Sequence, residues 1–232
     1  MLDHIASLIL LLLAAAGLFL QSGITVGKPR KHMFAFYTNV SNLAVLIYEL
    51  IFYFTGLAGY SGLYAFVRAP VPRYIMALAI LVTNIIYHFF IGVSLQFAKG
   101  ESDRKTKKNW LRMLTVDPIL CGGKEKYEDA RTFIGNLLVH YVVPLLSFAR
   151  WIAFAPKEIP FYATLIWVSI PILYFIFCYV RAQLGTPITE SGNRYPYDLL
   201  SPDKLPLWKY FRNMVLLTAF YYLLGLFLYL IF

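Results

Sequence analysis

The chain alternates long apolar runs with polar connections. The runs cover about residues 5–20, 34–56, 74–97, 132–154, 161–181 and 208–232. Each comes near the roughly 20 residues that a helix needs to cross the hydrocarbon of a bilayer. The ten-residue alternation of an outer-membrane barrel is absent. Inside lipid every main-chain polar group must be satisfied within its own segment, which favours helices. The pattern predicts an all-α, polytopic integral membrane protein, a single domain of six transmembrane helices over residues 1–232. Ala14-Ala15-Ala16-Gly17 has the small residues of a leader cleavage site. Asp3 and His4 stand where a leader carries Lys or Arg, so the first run reads as a retained span.

The punctuation divides the runs. Gly59, Gly62, Pro70 and Pro72 read as one connection, Pro156 and Pro160 as a tight turn, and Pro171 as a kink in the fifth span. Lys99–Arg131 is the one long loop, and its Asn109–Leu114 stretch has the Trp and Arg of a segment lying at headgroup level.

Composition agrees with the class: 59% of residues are hydrophobic and 14% charged, against about 25% charged in a soluble domain. The net charge of +9 does not require a nucleic-acid partner, because Lys and Arg collect in the cytoplasmic loops of membrane proteins. Of the 21 Lys and Arg, 17 fall in the connections after spans one, three and five and 4 in the other two, Arg73 and Arg150 being counted among the latter. This places the basic loops in the cytoplasm and both termini outside. Cys121 and Cys178 form neither a disulfide framework nor a zinc site, and no metal or cofactor is called for.

Polar residues inside the spans carry the candidate chemistry, since each costs free energy unless paired. Thr38, Asn42 and Glu49 share one helical face of span two, and Asn84 and His88 one face of span three. Asn136 and His140 do the same in span four. With the basic loops inside, Thr38, His88 and His140 come within about 6–13 Å of the cytoplasmic end. A hydroxyl beside an imidazole is the minimum for nucleophilic catalysis. Residue type alone leaves other readings open. Threonine can bond its own helix, histidine can be a packing residue, and His88 with His140 can ligate a haem. Glu49 can be a neutral structural acid or part of a proton path.

Four stretches narrow the choice. They are Phe36–Leu43 with its Thr-x-x-Ser-Asn core, Val82–His88 ending in Tyr-His, His140–Leu146 with its His-x-x-x-Pro element followed by Trp151, and Tyr195-Pro196-Tyr197-Asp198. In this order and spacing they resemble the androgen-induced-gene / androgen-dependent TFPI-regulating protein family of membrane proteins, in its bacterial branch. Animal members are multi-pass hydrolases of fatty acid esters of hydroxy fatty acids, with an intramembrane threonine nucleophile and a histidine. The resemblance implies Thr38 as nucleophile, His140 as base and acid, and an inner-membrane location if the chain is bacterial. Asn39, Ser41 and Asn42 become candidate oxyanion donors, and Asn136 or Asp198 candidate partners of His140. Asn84, His88, Tyr195 and Tyr197 complete the supporting set, with Tyr195-Pro196-Tyr197 expected to close over the site. Relatives close this last motif with an acid after Tyr-Pro-x-Phe-Leu, whereas Asp198 directly follows Tyr197 here. The expected partners are a lipid or fatty-acyl ester and the bilayer. The alternatives are an acyltransferase using the same acyl-threonine, or a non-enzymatic lipid-binding protein or transporter with Glu49, His88 and His140 along a polar path.

Overall fold

The computed structural model describes residues 1–92, 129–188 and 192–232. The sequence-predicted headgroup segment Asn109–Leu114, Cys121 and the end of the third span beyond residue 92 lie outside them. Among the described residues there are six helices long and apolar enough to cross a membrane, so the chain is an all-helical, multi-pass membrane protein. We label the helices α1 (Leu2–Gln21), α2 (Tyr37–Ala58), α3 (Ser61–Arg68), α4 (Pro70–Ile86), α5 (Ala130–Phe154), α6 (Ala163–Leu184) and α7 (Leu207–Ile231).

The short α3 was not expected. Gly59 does break the chain, in the left-handed region at φ 72°, but Pro70 and Pro72 do not. They occupy the first turn of α4, where the missing N–H has no intrahelical partner to lose. Pro171 lies buried within an uninterrupted α6.

Helices α1, α2, α4 and α5 pack in a ring, each against the next. One apolar layer at its centre takes Leu10 and Ala14 from α1, Val45 from α2, Ile80 from α4 and Val143 from α5. The small-residue run of α1 lets α5 come close. A Cβ on Gly17 would stand 3.0 Å from Val139, and one on Gly135 only 2.8 Å from Leu20. Helices α6 and α7 form a hairpin against α4. There Trp167, wholly buried, covers Gly225, whose carbonyl accepts from Tyr74 at 2.8 Å.

Beyond the central apolar layer, away from Thr38, lies a buried ionic cluster. Arg150 donates to both Glu49 oxygens at 2.5 and 2.7 Å and to Asp3 at 2.8 Å, Arg73 pairs with Asp3, and Ser7 donates to Glu49 at 2.6 Å. Two carboxylates and two guanidinium groups cancel in charge, and each is hydrogen-bonded, which is how such groups persist in an apolar interior. Arg73 and Arg150 are therefore buried helix residues rather than the loop charges that the sequence suggests. Val45 also separates Glu49 from Asn42 along α2, so the expected polar stripe is two polar layers with an apolar one between them.

Candidate functional site

The site forms where two helices depart from α geometry. In α5 the segment Leu138–Val142 is π-helical, and α4 runs on into a π-helical turn, Tyr87–Gly92. Such turns free main-chain carbonyls from their usual partners and are frequent at functional sites.

The sequence explains which carbonyls are freed in α5. The residue four after His140 is Pro144, which has no N–H to give the His140 carbonyl. The N–H of Val143 bonds Leu138, five residues back, and so leaves the Val139 carbonyl without its α-helical donor. Asparagines from neighbouring helices take over. Asn84 Nδ2 donates to the His140 carbonyl at 2.8 Å, and Asn42 Nδ2 donates to Val139 at 2.9 Å and to the Thr38 carbonyl at 2.7 Å. The backbone of His140 is thereby tied to α4, and that of Val139 to Thr38 through a single amide.

The His140 side chain is fixed as firmly. Nδ1 lies 3.0 Å from the Asn136 carbonyl, and Nε2 lies 3.2 Å from Thr38 Oγ1. A carbonyl can only accept, so in the neutral ring the proton sits on Nδ1. Nε2 then presents its lone pair to Thr38, whose hydroxyl donates to it. Tyr87 stacks on the imidazole, with ring centroids 3.7 Å apart, and its hydroxyl accepts from Asn136 Nδ2 at 2.7 Å. The group that orients His140 is thus the Asn136 main chain, while the Asn136 side chain holds the stacking tyrosine.

Thr38 is the second residue of α2, which begins after an extended Phe36. The Thr38 N–H makes no main-chain hydrogen bond, as expected in the first turn of a helix, whereas the Tyr37 N–H is turned to the Tyr197 phenol oxygen. The Thr38 N–H supplies a donor, and the helix start the positive end of a dipole, beside the hydroxyl. The side chains expected to play that part are engaged elsewhere. Asn39 donates to the Met33 carbonyl at 2.9 Å, both amide hydrogens of Asn42 are used, and Ser41 bonds the Thr38 carbonyl at 3.0 Å and the Thr83 hydroxyl at 2.7 Å. Thr83 is a site residue that sequence reasoning missed. A hydroxyl in an apolar run carries little signal by itself.

Other expected residues lie apart. His88 lies in the π turn, its Nδ1 bonds the Tyr141 hydroxyl at 3.2 Å, and it has no hydrogen bond to Thr38 or His140. Asp198 is exposed, 2.7 Å from Lys204, and does not orient His140. Tyr195 is buried in a packing cluster with Tyr174, Phe175, Cys178 and Leu200 rather than at the opening. Of the Tyr-Pro motif, Pro196 and Tyr197 reach the site. Burial pushes the Tyr197 phenol up to about 12, more than its neighbours Tyr37, Tyr174 and Thr38 lower it, so it remains a neutral O–H donor.

Two cavities meet at Thr38. One, of about 970 Å³, is a vestibule lined by Arg30, Lys31, His32, Asn39, His140 and Pro196 among others. The other, of about 80 Å³, is a cleft between the four-helix ring and the α6–α7 hairpin. Thr38, Tyr87 and Tyr197 border both. Among the described residues no three His, Cys, Asp or Glu gather as a metal site. No family model matches the chain, and no curated protein or solved structure matches it either.

Proposed function

We propose that this protein is a membrane ester hydrolase that cleaves lipid or fatty-acyl esters through an acyl-Thr38 intermediate, with His140 as general base and acid. The observation that carries the reading is the Thr38 hydroxyl 3.2 Å from His140 Nε2, with Nδ1 committed to the Asn136 carbonyl. Nucleophile, base and orienting group are in hydrogen-bond sequence, the arrangement that nucleophilic acyl transfer requires. The resemblance drawn from the four sequence motifs points to the same pair.

In the proposed cycle Thr38 Oγ attacks the ester carbonyl as its proton passes to His140 Nε2. Nδ1–H⁺ stays on the Asn136 carbonyl, which steadies the imidazolium. The oxyanion meets the Thr38 N–H at the start of α2, and the Tyr197 hydroxyl, in the lining of both cavities, is a side-chain donor to it. Collapse expels the alkoxide, which takes the proton from Nε2 and leaves as the alcohol. Water from the vestibule then attacks the acyl-threonine, giving its proton to Nε2, and collapse releases the acid and restores the Thr38 hydroxyl. A vestibule of about 970 Å³ also has room for an acceptor alcohol in place of water, so acyl transfer is the second reading.

The basic connections after α1 and α6 lie at the Thr38 end of the bundle, since both contribute to the vestibule. By the positive-inside rule this end belongs to the cytoplasmic leaflet and the termini lie outside. There the bilayer concentrates acyl substrates by about 0.8 kcal/mol per methylene. The test is turnover of a fatty-acyl ester by the purified protein. Thr38→Ala and His140→Ala should abolish it and Thr38→Ser should retain part of it. A folded Thr38→Ala variant working at the wild-type rate would falsify the assignment.

A further inference from the structure

The two cavities at Thr38 differ about twelvefold in volume, about 970 against 80 Å³, and in chemistry. Arg30 and Lys31 give the vestibule cationic side chains. The cleft has no charged residue in its lining, which is aromatic and aliphatic apart from Thr38 and Thr83. Five of its lining residues are tyrosines, and two of them give their hydroxyls to main-chain carbonyls. Tyr37 donates to Ala79 at 2.9 Å and Tyr174 to Ala35 at 2.8 Å. What they present to the space is ring.

The cleft is also short. On α6 its lining runs from Pro171 to Phe175 and on α7 from Leu217 to Tyr221, about one helical turn or 6 Å in each case. Pro171, Phe175 and Tyr221 are themselves buried, and Tyr37 packs edge-on against both Tyr174 and Tyr221. Packed aromatic rings therefore wall the space along α2, α6 and α7.

We propose that this cleft is an acyl-length ruler. Resting on the hydrolase reading, it seats the acyl half of the ester and limits that half to a short or medium chain, while the bulkier alcohol half lies in the vestibule. A water-sized group needs about 10–15 Å³ of such space, and a methylene is of similar size, so 80 Å³ holds about five to eight carbons. The assignment of halves follows from polarity. A polar alcohol would lose its hydration in the uncharged cleft, whereas the vestibule offers it Arg30, Lys31 and Asn39, which leaves the cleft to the alkyl chain.

The test uses esters of one bulky alcohol with acyl chains from acetyl to palmitoyl, together with Leu217 variants. Leu217 is the lining residue of choice because it is only half-buried, so truncation is tolerable. In the wild type kcat/KM should peak near six to eight carbons, with each further methylene costing about tenfold. Leu217→Ala removes three carbons from the wall and should move the peak about three carbons longer, and Leu217→Phe should move it shorter. A parallel measurement, displacement of graded fatty acids from Thr38→Ala, reads the cleft without turnover and should show the same limit. Palmitoyl esters cleaved as fast as hexanoyl esters, with a profile that ignores Leu217, would overturn the ruler and leave the Thr38 chemistry standing. Length-limited binding to Thr38→Ala without wild-type cleavage of any ester would uphold the cleft as an acyl site and remove the hydrolase reading. Neither binding nor cleavage would overturn both.

Discussion

Pro144 and Asn84 act on one atom, the His140 carbonyl oxygen, and this allows a sharp prediction. Proline denies that oxygen its helical donor, and Asn84 Nδ2 replaces it at 2.8 Å. Asn84→Ala leaves a buried carbonyl unsatisfied, at a cost of about 1–3 kcal/mol. For a chain of this size that is a fall in Tm of about 2–12 °C. Pro144→Ala returns an N–H that can bond the same oxygen in an ordinary α turn, so in the double variant the carbonyl is satisfied again. Stability of Asn84→Ala/Pro144→Ala should recover by most of the Asn84→Ala loss, a coupling of about 1–2 kcal/mol. Activity should not recover, because an α-helical turn redirects the imidazole away from Thr38. Thermal melts in detergent and esterase rates on the four proteins measure the two quantities. Melting losses that simply add, or a double variant that regains wild-type turnover, would refute the account of the π turn.

Further predictions concern the surrounding frame. Glu49→Gln takes one of its two carboxylates from Arg150, leaves the buried cluster with an excess positive charge and should cost about 3–5 kcal/mol by thermal melt, whereas Glu49→Gln/Arg150→Met, which leaves the Asp3–Arg73 pair intact, should regain most of that. Gly225→Ala would put a Cβ 1.5 Å from the Trp167 ring and should lower stability by about 1–3 kcal/mol, a loss that a smaller residue at 167 relieves in part. Tyr195→Ala should act on stability, with the melt falling more than any ester turnover of the remaining folded protein, because Tyr195 packs behind the site. Burial holds the Tyr197 phenol near 12, above its unfolded value near 10, so it favours the folded state below pH 10. That contribution should fade from pH 10 to 12. Tyr197→Phe should flatten this part of the stability profile, and an unchanged alkaline limb would contradict it.

Much of the frame was legible because bilayer chemistry writes itself strongly into sequence. Six apolar runs gave six helices, and the few polar residues within them marked the Thr38–His140 layer. The asparagines were legible as companions of that layer but not in their roles. Nothing in a residue list says that Asn42 and Asn84 serve carbonyls of α5, since that depends on a π turn. In hindsight the His-x-x-x-Pro spacing carries the signal, because a proline four residues on always orphans the histidine carbonyl. Arg73 and Arg150 differ from the expectation for another reason. Positive charges near span ends were assigned to connections, when an arginine within an apolar run called for a buried carboxylate and Glu49 was there to supply it. Asp198 and Tyr195 were carried by motif position alone. Folding put Asp198 on the surface and Tyr195 into packing, because neither position is constrained by helical periodicity.

The central claim is that Thr38 and His140 form one nucleophilic unit. A fluorophosphonate that phosphonylates an activated hydroxyl tests it most directly, with the modified residue located by peptide mass spectrometry. The account predicts one labelled residue, Thr38. Labelling should be lost in Thr38→Ala and in His140→Ala, and the double variant should be no worse than either, because two parts of one unit do not lose their effects additively. Labelling of a different residue, or undiminished labelling of Thr38 when His140 is alanine, would contradict it.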